Sequence, residues 1–122
     1  MKHAEFRESM ESFRRRADIE AAAQRDPQLA LDQMQELYAK FDASERVMAN
    51  RVLVEWCFSA DDGKRFDALA IIDEFRVSDA AHALHELANR LGKSNEPGAP
   101  YELQKVHRIA NSLNSRAPRP EH

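Results

Sequence analysis

Apolar residues in this chain recur at intervals of three and four almost from end to end. That spacing gathers them on one face only if the backbone is an α-helix. Phe6, Met10, Phe13 and Ala17 form one stripe, and Leu31, Met34, Leu37, Tyr38 and Phe41 form another. Ala81, Leu84, Leu87, Ala88 and Leu91, then Leu103, Val106, Ile109, Ala110 and Leu113, repeat the pattern towards the C-terminus. Composition points the same way: 3 glycines and few β-branched residues, with Ala, Leu, Glu, Arg and Gln prevailing, the residues that lose least on entering a helix.

Local signals divide the pattern into six helices. The first is expected from about residue 3 to Arg25. Asp26-Pro27 reads as an N-cap followed by proline at the first helical position, where its missing N–H costs nothing. The second helix then runs to about Asp42. Asp42 and Glu45 have the spacing of a capping box for a third helix that ends near Ser59. This third helix carries Val47, Met48, Val52, Leu53, Val54, Trp56, Cys57 and Phe58, apolar on nearly every side, which predicts a central, buried element. Arg51, Glu55 and Ser59 are its expected exposed strip. Asp61-Asp62-Gly63 predicts a turn and cap, and Phe66, Leu69, Ile72 and Phe75 or Arg76 mark a helix to about Val77. Ser78 is expected to cap the next, with Gly92 as its C′ residue. Pro100 opens the last, through Leu113. The expectation is one all-α domain over 1–114, followed by a frayed tail over 115–122 with two prolines.

The helix starts at Pro27, Gly63 and Pro100 lie 36 and 37 residues apart, and Leu31/Met34/Leu37, Phe66/Leu69/Ile72 and Leu103/Val106/Ile109 line up as apolar triplets. Second helices begin after Ser44 and Ser78, 34 apart. A period of this size built from antiparallel helix pairs suggests an α-solenoid. The segment Asp61-Asp62-Gly63-Lys64-Arg65-Phe66-Asp67-Ala68-Leu69-Ala70-Ile71-Ile72-Asp73, followed by Ser78-Asp79-Ala80-Ala81-His82-Ala83-Leu84-His85-Glu86-Leu87, resembles a HEAT-type repeat. The resemblance implies that Arg65 is the family's arginine, paired with Asp61 or Asp62. It covers about a quarter of the chain, and the other pairs fit by hydrophobic spacing alone. The expected architecture is therefore a six-helix antiparallel hairpin array, either a HEAT-like α-solenoid or a compact irregular bundle.

Charge and chemistry narrow the function classes. A net charge of −3 does not suit general binding to a nucleic-acid backbone, which positive charge drives; Arg14-Arg15-Arg16 reads as a solvated helix face. A single cysteine, Cys57, allows no intramolecular disulfide, and its apolar neighbours predict a buried thiol. No stretch approaches a membrane span or a secretion signal, so a cytoplasmic location, of bacterial type, is expected. The chain has no P-loop, GxGxxG, GxSxG or CxxC pattern, and no enzyme activity or cofactor is expected. His82, His85 and Glu86 could in principle hold zinc, but their spacing is not that of HExxH, and the wet side of an amphipathic helix explains them. Asp61-Asp62 reads as helix capping, and Asp73-Glu74 as a solvated face or part of an acidic recognition patch. The phenylalanines fall at core spacing; Tyr38, Trp56 and Tyr101 are the candidate surface anchors.

What remains is a protein-binding module. By size, by charge and by the segment Arg65-Phe66-Asp67-Ala68-Leu69 … Ile72-Asp73-Glu74-Phe75, the chain is similar to the immunity proteins encoded beside bacterial polymorphic and contact-dependent toxins. That similarity implies a basic toxin domain, such as a nuclease, as partner, met by an acidic surface: Glu55, Asp67, Asp73, Glu74, His82 and Glu86. An adaptor or regulatory subunit docking a host-cell protein through the same face is the alternative.

Overall fold

The computed structural model describes residues 2–114, and the expected tail over 115–122 lies outside the described residues. The chain is all-α. Its elements are α1 (His3–Gln24), α2 (Pro27–Lys40), α3 (Ala43–Cys57), α4 (Asp62–Phe75), a single 3₁₀ turn (Ser78–Ala80), α5 (Ala81–Gly92) and α6 (Ala99–Asn114), with no strand among the described residues. No helix among them is long and apolar enough to cross a membrane.

Three helix starts form as their local chemistry predicts. Asp26 Oδ1 accepts from the Gln28 N–H at 3.1 Å, with Pro27 in the first turn. Asp42 and Glu45 make the reciprocal box: the Asp42 N–H donates to Glu45 Oε1 at 2.9 Å and the Glu45 N–H to Asp42 Oδ1 at 2.8 Å. Asp61 Oδ1 accepts from the Gly63 and Lys64 N–H groups at 2.8 and 3.2 Å. The helix ends depart from expectation. Gly92 is the last residue of α5 and not a left-handed C′. The left-handed caps are instead Arg25 (φ 55°) and Arg76 (φ 54°), where a Cβ must be accommodated at some cost. Ser78 opens the 3₁₀ turn, and the α5 N-terminus has no side-chain cap.

The contacts divide the chain into two compact units, one ending at Val52 and the other beginning at Leu53, so that α3 contributes residues to both. In the first unit α1 packs most closely on α2. Ala17, Ala21 and Ala30 make the contact, with Phe13 and Leu29 packed against them; small side chains let two helix backbones approach. Gln33 Nε2 donates to Glu20 Oε1 at 3.2 Å, and the Phe6 and Phe41 ring centroids lie 5.2 Å apart, an antiparallel register. Tyr38 is buried; its hydroxyl donates to Asn50 Oδ1 at 2.7 Å, and Arg46 lies over its ring at 4.7 Å.

In the second unit α5 packs most closely on α6, and α4 lies against α6. Leu69, Ile71, Ile72, Leu84, Val106 and Ile109 are among its fully buried residues, with essentially no exposure. The tightest pairings, α1 with α2 and α5 with α6, are thus offset by one helix from the pairs that the 36-residue spacing suggests. The α3 helix is not apolar all round: Val47 is 61% exposed and continues with Arg51 and Glu55 as an outward strip, whereas Ser59 is half-buried. Phe66, placed at core spacing, is 51% exposed. Trp56, a candidate surface anchor, is buried, and its Nε1 has no acceptor among the described residues.

Candidate functional site: an arginine-braced cleft in the second unit

The first turn of α4 brings Arg65 beside Asp62, and the first turn of α6 presents Glu102 from 37 residues away. The guanidinium donates through Nε to Glu102 Oε2 at 2.9 Å and through Nη2 to Glu102 Oε1 at 3.2 Å, a bidentate fork. Its Nη1 donates to the Ser59 carbonyl at 2.8 Å, and Nη2 also bonds Asp62. One side chain thereby ties the segment after α3, the start of α4 and the start of α6 together. The Glu102 hydrogen bond, with Asp62 adding to it, raises the Arg65 pKa further although burial works against it.

This brace stands in the wall of a cleft of about 630 Å³. Cys57, Leu69, Leu87 and Ala99 supply its buried apolar lining. Burial, helped by the negative charge of Glu102, pushes the Cys57 thiol up to about 12, so it remains a protonated thiol at neutral pH and is a poor nucleophile. The rim is aromatic and cationic. Lys105 Nζ sits 4.2 Å from the centroid of the exposed Phe66 ring, and the Arg90 guanidinium sits 4.6 Å from that of Phe58. Tyr101, the surface anchor that the structure does expose, stands beside them at 79% exposure. Burial lowers the Lys105 pKa; Glu102 and Asp73 oppose that shift and Arg108 adds to it. Neither Lys105 nor Arg90 has an ion-pair partner among the described residues, whereas Asp62 and Glu102, acids of the same cleft, are taken up by Arg65. With Asp62 and Glu102 engaged by Arg65 and its thiol protonated, the cleft is equipped for binding by contact and charge.

None of the six residues proposed from sequence lines this cleft. Glu55 is exposed on α3, and Glu74 is exposed at the end of α4. Asp73 is half-buried, its Oδ2 accepting from Arg108 Nη1 at 3.4 Å. His82 and Glu86 are exposed on α5, with Nε2 and Oε2 3.8 Å apart. Asp67 is the exception: it is 7% exposed, so its carboxylate does not belong to an accessible face. It lies one residue after the exposed Phe66, and the two together show that α4 is turned so that 67, 68, 71 and 72 face inward. His82, His85 and Glu86 do not gather: among the described residues no group of three His, Cys, Asp or Glu side chains could hold a metal ion.

Of the two acids considered for Arg65, Asp62 is the one that its guanidinium meets, while Asp61 caps α4. Sequence reasoning missed Glu102, although it lies 37 residues from Arg65, the same interval that separates Gly63 from Pro100. The cation–aromatic pairs left no comparable signal, because each joins residues on different elements. No family model, curated protein or solved structure matches this chain.

Proposed function

We propose that this chain is a protein-binding module whose partner carries a basic surface, as a toxin neutralised by an immunity protein would. The observation that carries the reading is the charge of the segment from Glu55 to Glu86. Eight carboxylates there stand against three basic side chains, and Glu55, Glu74, Asp79 and Glu86 are exposed on the described structure. Asp61 and Asp62 are occupied with a helix cap and with Arg65, Asp73 with Arg108, and Asp67 is buried. The exposed set is therefore Glu55, Glu74 and Glu86, with His82 beside Glu86 and Asp79 as an addition. An excess of exposed acidic side chains speeds encounter with a basic partner and selects against acidic ones. Helices present these side chains on a backbone that needs no ordering on binding.

The test compares the tagged wild-type protein with a Glu55→Lys, Glu74→Lys, Glu86→Lys variant in pull-downs from native extract, followed by titration calorimetry on the protein captured. The expected result is one basic partner at one-to-one stoichiometry, held by the wild type and lost by a variant whose helical circular dichroism is unchanged. A partner held equally by both proteins, or an acidic one, overturns the reading. A constituent of a large housekeeping assembly in its place would favour an adaptor.

A further inference from the structure

The cleft of the second unit is chemically unlike the acidic surface, and its unspent charge has the opposite sign. Of its three cations, Arg65 is consumed by Glu102, Asp62 and the Ser59 carbonyl. Lys105 and Arg90 are each laid over an aromatic ring and have no carboxylate within ion-pair distance among the described residues. Of its acids, Asp62 and Glu102 are spent on Arg65, leaving Glu96. Lys105 is half-buried and burial opposes its charge. Glu102 and Asp73 act on this ammonium only from beyond ion-pair distance, each engaged by an arginine, so a partly desolvated cation over a ring face still lacks a contacting anion. The space beside it is about 630 Å³, within the range of small-molecule sites, which pair apolar walls with a few polar groups.

We propose that this cleft binds a small amphipathic carboxylate, an aliphatic or aromatic acid. Its apolar body lies against Leu69, Leu87 and the Phe66 ring, and its carboxylate is met by Lys105 and Arg90. Arg65 acts as a positioning residue: its fork to Glu102 holds the first turn of α6, which carries Tyr101 and leads to Lys105, and it keeps the Glu102 carboxylate from competing for Lys105. The site is independent of the acidic surface proposed above, and none of its residues belongs to that surface.

Octanoate is the probe, with octanol and octyltrimethylammonium as neutral and cationic matches of its chain. In two-dimensional amide NMR titrations of the full chain, octanoate should give saturable shifts centred on Phe66, Leu87, Tyr101 and Lys105. It should bind about tenfold or more tightly than octanol, the difference expected of one hydrogen bond to a charged group, and the cation should not bind there. Lys105→Gln should lose most of that preference, while Lys105→Arg, which keeps the charge over the ring, should hold octanoate within a few-fold of the wild type. Equal binding of octanoate and octanol would overturn the proposal. So would octanoate affinity unchanged in the Lys105→Gln, Arg90→Gln double variant, or the absence of saturable shifts at the cleft. The Lys triple variant of the acidic surface should bind octanoate normally, so that failure of either proposal can be told from failure of the other.

Discussion

The two units hold themselves together by different means. In the first, most polar contacts are short in sequence, and two that join helices, Gln33 to Glu20 and Tyr38 to Asn50, span 13 and 12 residues between helices adjacent in the chain. Arg14 pairs with Asp18, Arg15 with Ser12 and Glu8, and Gln28 with Asp32, and the longer Gln33–Glu20 bond merely crosses from α2 to α1. Its helices meet through alanines. In the second unit, beside its short-range pairs, three polar contacts span 35 to 37 residues: Arg65 to Glu102, Arg76 Nη1 to the Ser112 carbonyl, and Arg108 to Asp73. The lesson is that the first unit's surface polar groups decorate a hairpin already specified by its apolar stripe, whereas the second unit's brace specifies where α6 lies. Local pairs on a wet surface contribute little, because water competes and two long side chains must be ordered. A partly buried fork cannot lose one partner without stranding the other.

That contrast can be broken by mutation, and the largest effect is expected at the brace. Arg65→Ala leaves Glu102, about a fifth exposed, without its partner, and should cost about 2–4 kcal/mol in denaturant unfolding. Arg65→Lys should recover only part of this, since a lysine cannot reproduce the fork. A loss below about 0.5 kcal/mol, typical of an exposed pair, would make the two units alike after all.

A smaller effect follows from the buried thiol. Cys57 has its folded pKa raised above the ordinary 9.0 to about 12. Above pH 9 the unfolded chain therefore releases a proton that the folded chain retains, and stability present at neutral pH drains away as pH rises. The loss should be on the order of 1 kcal/mol by pH 10. Lys105 runs the other way, because its lowered folded pKa makes the folded state gain relative stability as it deprotonates. A Cys57→Ala variant separates the two: its stability should fall less between pH 8 and 10 than that of the wild type. An identical decline would show that burial of this thiol is not what the pH dependence reports.

The smallest effects belong to the first unit. Glu20→Ala removes the carboxylate that Gln33 bonds, and Glu8→Ala removes a partner of Arg15. Each should change stability by a few tenths of a kcal/mol, whereas Asp26→Ala, which deletes the α2 cap, should cost about 1 kcal/mol. Thermal melts of the three variants, ranked, sharpen the comparison. A Glu20→Ala variant as damaged as Arg65→Ala would mean that the hairpin depends on its polar crossing as strongly as the second unit depends on its brace.

Much of this architecture was legible beforehand. The caps at Asp26, Asp42 and Asp61 were readable because a cap is a contact between residues two or three apart. The stripe Phe6, Met10, Ala17 was readable because a long amphipathic helix averages over small errors of phase. Phe66 was misplaced for the opposite reason: α4 buries Asp67, Ala68, Ile71 and Ile72, and a helix of 14 residues with apolar side chains on several faces leaves its rotation open. Gly92 was misread because α5 runs through it and ends at Lys93 in a right-handed conformation, so no left-handed cap is needed there. The candidate cleft was scarcely visible at all.

The sequence by itself determined the helical class, the number of helices and most of their starting points, since periodicity and capping are settled within a turn or two of chain. It also singled out Arg65 as a residue to watch, with Asp61 or Asp62 as the candidate partner. Only the tertiary structure decided that Glu102 completes the fork, that Asp67, Tyr38 and Trp56 turn inward while Phe66 turns out, and that Lys105 and Arg90 come to rest on aromatic faces beside a common cleft. The physical reason is distance along the chain. Hydrogen-bonded turns and apolar stripes are built from neighbours, but ion pairs, ring contacts and the rotation of a helix about its own axis depend on which surfaces meet, and those surfaces come together only after the helices have packed.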